Sequence, residues 1–149
     1  MGVLVNHKRV QRLMNELGLK SKVRPKRYKS YKGEVGKIAE NTLNREFTAQ
    51  KPNQKWVTDV TEFKVDNEKV YLSPMIDLFN QEVISYEVRK SVALPLVTDM
   101  LKTATARLKP NEKPVVHSDQ GWQYQNKQYQ SHLKERGLKQ SMSRKGNCL

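Results

Sequence analysis

Apolar residues at Val10, Leu13, Met14 and Leu17 recur at the spacing of one helix face, with Asn6 placed to cap its start and Gly18 to end it. His7, Lys8, Arg9 and Arg12 fall on the polar side of that helix. From Trp56 the pattern changes to three β-branched and aromatic runs, WVTDVTEFKV, KVYLSPMIDLF and EVISYEVRK. The polar turns Asp66-Asn67-Glu68 and Asn80-Gln81 separate them, and connections that short predict an antiparallel meander. Residues 93–109 return to helical spacing through Leu94, Val97, Met100, Leu101, Ala104 and Leu108, and Pro95 lies in the first turn, where a missing amide is tolerated. A short strand from Pro114 to His117, a helix from Asn126 to Arg136 ended by Gly137, and a last strand from Leu138 to Met142 complete the pattern. The predicted order, three antiparallel strands, helix, strand, helix, strand, is that of an α/β domain.

Between the first helix and the strands lies KSKVRPKRYKSYK, residues 20–32, in which seven of thirteen residues are Lys or Arg and Pro25 prevents a continuous helix. It reads as an extended basic arm, followed by a polar linker over residues 33–53, so the expected organisation is 1–32, 33–53 and 54–149. A solvated tail is the plain alternative for such a run. Interleaved Tyr28 and Tyr31 favour nucleic acid, because aromatics stack on bases while cations meet phosphates.

Charge sharpens this picture. The 149 residues carry a net charge of +13, and residues 1–55 hold fourteen basic and four acidic residues, net +10, against fourteen and eleven, net +3, in the remainder. A polyanionic partner, nucleic acid before a membrane surface, fits that excess, and its burden falls on the first third of the chain. The candidate contacts are Lys8, Arg9, Arg12, Lys20, Lys22, Arg24, Lys26, Arg27, Tyr28, Lys29, Tyr31 and Lys32. No apolar run approaches the roughly 20 residues of a membrane span. The single cysteine, Cys148, excludes an intramolecular disulfide and a cysteine-based zinc site, and no His partner stands near it to activate a nucleophile.

The first strand's alternation sets Trp56, Thr58, Val60 and Glu62 on one face and Val57, Asp59, Thr61 and Phe63 on the other, so Asp59 shares a face with apolar neighbours. Burying an ionised carboxylate there requires a cation, hydrogen-bond donors or open solvent. Asp119 follows a short apolar strand, at the end where open α/β sheets place ligand groups. Taken alone, Asp59 also reads as a cap on backbone amides and Asp119 as a turn residue before Gly121. Together they form an oxygen donor set suited to Mg²⁺, with Mn²⁺ as the alternative. His117 is expected to be satisfied by local backbone, Glu62 and Asp77 to be solvated strand charges, and His7 and His132 to be surface residues.

WVTDVTEF, followed some 60 residues later by HSDQGWQY and then SMSRKGN, resembles the integrase-type DDE transposases of bacterial insertion sequences, and VNHKRVQRLMNELGL is similar to the end of the helix-turn-helix region that precedes their core. The resemblance implies a ribonuclease H-like fold and three carboxylates holding two Mg²⁺, of which Asp59 and Asp119 carry over here as catalytic and metal-binding residues. It also implies that the third, a glutamate on a helix after Ser143–Asn147, falls beyond Leu149, so the chain is expected to be a fragment with an incomplete core over 54–149. The implied partners are double-stranded DNA, at element ends and at the target, and further copies of the transposase, in the bacterial cytoplasm at the nucleoid. Expected activity from such a fragment is very low. A DNA-binding remnant or defective subunit that occupies element ends without catalysis is the alternative, and an RNA-binding basic protein fits composition but leaves the two aspartates unexplained.

Overall fold

A computed structural model describes residues 5–19 and 36–143. The described chain forms two units, divided at Tyr31 and Lys32.

In the first unit, helix α1 (His7–Glu16) starts where expected, the Asn6 side chain accepting from the Lys8 amide. Gly18 adopts a left-handed φ of +66°, which lets Leu19 N–H return to Met14 O at 2.8 Å and closes the helix end. None of its residues is buried, and Val10, Leu13 and Met14 are all exposed. Arg12 pairs with Glu16 at 3.5 Å, one turn away. The arm residues Lys20, Lys22, Arg24, Lys26, Arg27, Tyr28, Lys29, Tyr31 and Lys32, with Cys148, lie outside the described residues.

The second unit is a six-stranded mixed sheet with helices packed on one face. Its elements are β1 (Lys55–Thr58), β2 (Thr61–Val65), β3 (Glu68–Asp77), β4 (Val83–Arg89), α2 (Leu94–Ala106), β5 (Val115–Ser118), α3 (Trp122–Gln125), α4 (Lys127–Glu135) and β6 (Lys139–Met142). β3 pairs antiparallel with β1, β2 and β4, as the meander predicts, whereas β5 joins β1 and β6 joins β5 in parallel. This mixed α/β arrangement is ribonuclease H-like. Trp56, Met75, Met100, Leu101, Val116, Tyr124 and Tyr129 fill the core between sheet and helices. Among the described residues, no helix is long and apolar enough to cross a membrane.

The first predicted strand is interrupted. β1 and β2 lie on the same side of β3 in one continuous register, Thr58 opposite Met75 and Thr61 opposite Leu72, so the gap at Asp59 and Val60 stands opposite Pro74 and Ser73. Leu78 N–H donates to Lys55 O at 3.0 Å, which fixes the even-numbered residues of β3 as those facing β1. Pro74 has no N–H to give there, so the ladder opens beside Asp59. The helix predicted from Asn126 to Arg136 is α4, with Asn126 outside helical geometry at ψ 139° and capping it through the Gln128 amide, whereas the short α3 before it was not predicted.

The expected linker is also more than a tether. Leu43 is buried, Met142 N–H donates to Glu40 O, and the Thr42 and Leu43 amides donate to Ser141 Oγ at 2.9 and 3.3 Å. Residues 39–43 therefore cover the β6 edge, which would otherwise offer unpaired backbone groups.

Candidate metal centre

β1 and β5 run parallel with Trp56 opposite Val116 and Val57 opposite His117. Continuing that register by two residues sets Asp59 opposite Asp119, each the first residue beyond its strand. Neighbouring strands lie about 4.8 Å apart, so the two carboxylates emerge side by side at one rim and on one face of the sheet.

Two hydrogen bonds aim them. Asp59 Oδ1 accepts from the Val60 amide at 2.8 Å, and Asp119 Oδ1 accepts from the Gly121 amide at 2.9 Å. In each case Oδ2 has no hydrogen bond among the described residues, which leaves one oxygen per aspartate available as a ligand. The turn reading of Asp119 and its ligand reading are thus compatible, since one oxygen serves each. Gly121 matters through space rather than φ: a Cβ there would stand 2.9 Å from Asp119 Oδ1 and 2.5 Å from Gln123 Nε2, so both side-chain ends would have to shift.

The loop carrying Asp119 is anchored to β6. Ser143 N–H donates to Ser118 O at 2.9 Å, Gln120 Nε2 donates to Ser143 O at 3.0 Å, and Gln125 Nε2 donates to Gln120 O at 2.5 Å. Below it, the fully buried Tyr124 hydroxyl lies 3.4 Å from Thr58 Oγ1, one residue before Asp59. Burial pushes the Tyr124 phenol well above its ordinary value, and the charges of Asp119 and Asp59 add to that, so it stays protonated beside the pair. Burial likewise raises the Asp119 carboxyl above the usual carboxylate range; the Gly121 amide opposes the shift and the Asp59 charge reinforces it. That mutual repulsion is the electrostatic signature of two carboxylates sharing one small region.

Several expectations are corrected. For Asp59 it is the open-solvent alternative that holds, because the face it shares with Val57 and Phe63 is the one the helices leave open. Asp77 is buried rather than solvated, its oxygens accepting the Asn53 amide at 2.7 Å and the Phe79 amide at 2.9 Å, which makes it a structural cap. Glu62 does face solvent, in contact with Lys69 and Tyr71. His7 is exposed, but His132 is half-buried and bonded to Thr105 Oγ1 at 2.9 Å.

His117 finds a side chain, not local backbone. Its Nδ1 lies 2.9 Å from Ser141 Oγ, the same oxygen that takes the Thr42 and Leu43 amides, and Phe47 meets the ring edge-on. With both Oγ lone pairs occupied, the Ser141 hydroxyl donates to Nδ1, which assigns the proton to Nε2 and a neutral ring. Burial holds the His117 pKa below its ordinary value, in agreement with that neutrality. Ser141, Ser143, Gln120 and Tyr124 carry no sequence signal of their own beyond adjacency to the HSD and SMS segments.

The donor set, two carboxylates with one oxygen each fixed and one free, fits a hard oxygen-seeking cation. Among the described residues no group of three or more His, Cys, Asp and Glu side chains converges as a metal site.

Residues 49–148 match the model of the integrase core domain, and residues 1–27 match an HTH-like domain. The chain is 60% identical over 148 residues to a putative transposase InsK of insertion sequence element IS150 from Escherichia coli, spanning 52% of that protein. It is 56% identical to an uncharacterized transposase-like protein of Haemophilus influenzae, 68% of which it spans. Among solved structures, the HTLV-2 integrase catalytic core domain in complex with magnesium is similar at 25% identity and a TM-score of 0.54, over 62% of this chain and 60% of that one. The integrase core match alone covers most of the chain, and it includes both aspartates and every strand of the sheet. With a transposase-like relative matched over two thirds of its length, the chain belongs to the integrase-core transposases of bacterial insertion sequences.

Proposed function

We propose that this chain supplies the two-aspartate portion of a transposase active site and the DNA-contacting segment that precedes it. The observation that carries the reading is the pairing of Asp59 with Asp119 at the ends of adjacent parallel strands, each with one carboxylate oxygen free.

Asp59 and Asp119 would hold Mg²⁺, or Mn²⁺ in its place. The ion would activate the attacking oxygen and stabilise the leaving one in phosphoryl transfer on DNA. The chain's own contribution is positional: the Gly121 amide fixes the Asp119 carboxylate, the opening opposite Pro74 frees Asp59 from the ladder, and the Gln120–Ser143 bond holds the loop. With two carboxylates converging among the described residues, the chain alone binds the cation weakly and turns over very slowly. Lys8, Arg9 and Arg12 on α1, with Lys20, Lys22, Arg24, Lys26, Arg27, Tyr28, Lys29, Tyr31 and Lys32 after it, would grip double-stranded DNA at element ends, in a homo-oligomeric assembly at the nucleoid of a bacterial cytoplasm.

Mn²⁺ titration followed by nuclear-spin relaxation tests the site. Broadening should centre on residues 58–61 and 118–121 and vanish in Asp59→Asn and in Asp119→Asn. Broadening that persists in both variants would place the ion elsewhere. Robust strand transfer on terminal-repeat DNA by the isolated chain, abolished by Asp59→Ala, would overturn the slow-turnover claim.

DNA binding without catalysis is the second reading, favoured by the net +10 of residues 1–55. Deleting residues 1–32 should flatten the salt dependence of duplex binding, since each phosphate neutralised contributes about 0.9 to the logarithmic slope. An unchanged slope would remove that segment from the interface.

A further inference from the structure

The cations of the second unit are unevenly partnered. Lys69, Arg89, Lys90, Lys102 and Arg107, on or beside β3, β4 and α2, sit in ion pairs with Glu or Asp. Among the described residues of this unit the other cations, Lys55 apart, sit in none, and four of those, Lys113, Lys134, Arg136 and Lys139, are exposed around one turn.

One turn gathers these four. α4 ends at Glu135 with Arg136 as its C-cap, Gly137 takes a left-handed φ of +66°, and the buried Leu138 donates its amide back to Leu133 O at 2.8 Å. That closure carries the chain from Lys134 and Arg136 in the last helical turn to Lys139 at the start of β6 within a few residues. Lys113 comes from the other side: a Cβ on Gly137 would stand 3.2 Å from its Nζ. The negative end of the α4 dipole accounts for Lys134 and Arg136 locally, but Lys113 and Lys139 belong to other elements. Two carboxylates stand nearby: Glu112, which accepts the Lys109 amide at 2.8 Å and keeps its charge, and the exposed Glu135. The field is felt inside the fold, where His132 is held low first by burial and then by Arg136.

The position of the cluster decides what it serves. Lys139 pairs in register with Val115, at the opposite end of β5 from Asp119. Four residues of strand at about 3.3 Å each put that level roughly 13 Å from the carboxylates, and Lys113 and Gly137 lie further out. The cluster therefore lies at the end of the sheet opposite the carboxylate rim.

We propose that the Gly137 turn is a second double-stranded DNA contact, a phosphate-binding rim at the end of the sheet opposite Asp59 and Asp119, distinct from the N-terminal basic segment. The inference rests on the reading of this chain as a DNA-acting transposase. Four cations against two acids leave a net positive rim, which suits a backbone that carries a negative charge every 1.7 Å or so of helix axis. The contact carries no base specificity, because it offers cations to phosphates and no groove-reading element.

The test uses the full chain and a 30-base-pair duplex of arbitrary sequence, with fluorescence anisotropy measured across a salt series. Neutralising the rim with Lys134→Gln, Arg136→Gln and Lys139→Gln together should lower the logarithmic salt slope by roughly 2 to 3. A control that removes the same charge elsewhere, Lys37→Gln, Lys51→Gln and Lys64→Gln, should lower it by less than one. Equal losses in the two triples would reduce the effect to net charge and overturn the proposal, as would an unchanged slope in the rim variant. If the triple fails to fold, each single rim variant should still lose about 0.9, and three unchanged singles would count against the rim. Rim binding displaced more readily by RNA or by polyglutamate than by duplex DNA would overturn the assignment of partner. Mn²⁺ titration of the rim variant separates the two readings: slope loss with no Mn²⁺ site in any form supports the rim while removing the metal centre, and an intact Mn²⁺ site with no slope loss does the reverse.

Discussion

Gly121→Ala isolates the aiming of Asp119 from the stability of the fold. At φ −56° and ψ 141° residue 121 lies in a region open to any L residue, so alanine meets no backbone strain there. Its methyl, however, would stand 2.9 Å from Asp119 Oδ1 where ordinary contact begins at 3.4 Å. Oδ1 must therefore withdraw by about 0.5 Å, more than the roughly 0.2 Å within which metal–ligand distances are kept. The buried Gln123 amide, 2.5 Å from the same methyl, has to shift too. Overpacking of this kind costs about 1 to 2 kcal/mol, and the reduced freedom of the unfolded chain returns about 0.4 to 1. The net loss of stability is then between about zero and 1.6 kcal/mol, whereas Mn²⁺ affinity should fall about tenfold, the lower end of what disturbing a ligand's support costs. Urea unfolding of the metal-free chain and Mn²⁺ relaxation titration on the same preparation measure the two quantities. Unchanged Mn²⁺ affinity in a folded variant would refute the claim that the Gly121 amide and its open space position the ligand.

Two further outcomes follow from the same geometry. Folding raises the Asp119 pKa, so the folded chain holds that proton more tightly than the unfolded one; this stabilisation is complete below the ordinary value of 3.8 and is lost as pH rises through the raised one. Asp119→Asn should therefore flatten the decline in metal-free stability as pH rises above about 4, read by urea unfolding at several pH values, and an undiminished decline would assign it to other groups. Ser141→Ala removes the oxygen that serves Thr42, Leu43 and His117 together. It should cost about 2 to 4 kcal/mol and speed amide exchange at residues 42 and 43, and exchange rates equal to those of the parent chain would show that the segment is held by packing alone.

The sequence by itself determined most of the elements and singled out the two aspartates. Helical spacing with Asn6 and Gly18 marked α1 to within a residue, the β-branched runs marked the meander, and Asp59 and Asp119 stood out because each follows a short apolar run and ends it with a charge. These features are legible because periodicity and capping act within one segment, over distances the local sequence spans.

What the tertiary structure decided is everything that depends on register between distant segments. The parallel alignment of β1 with β5 places Asp59 beside Asp119 across 60 positions, and that offset is fixed by the hydrogen-bond ladder and by the packing of Trp56 and Val116, not by either run alone. Pro74 breaks the first strand in two only because the pairing brings its missing N–H opposite Asp59. Which face of that strand is covered also lay beyond alternation, which gives two faces and does not say which one the helices take; Asp59 proved to be on the open one. Asp77, His117 and His132 were misplaced for the same reason, since their partners, Asn53, Ser141 and Thr105, reach them only through the fold. A residue's type sets what it can bond, and the register of the sheet sets what it meets.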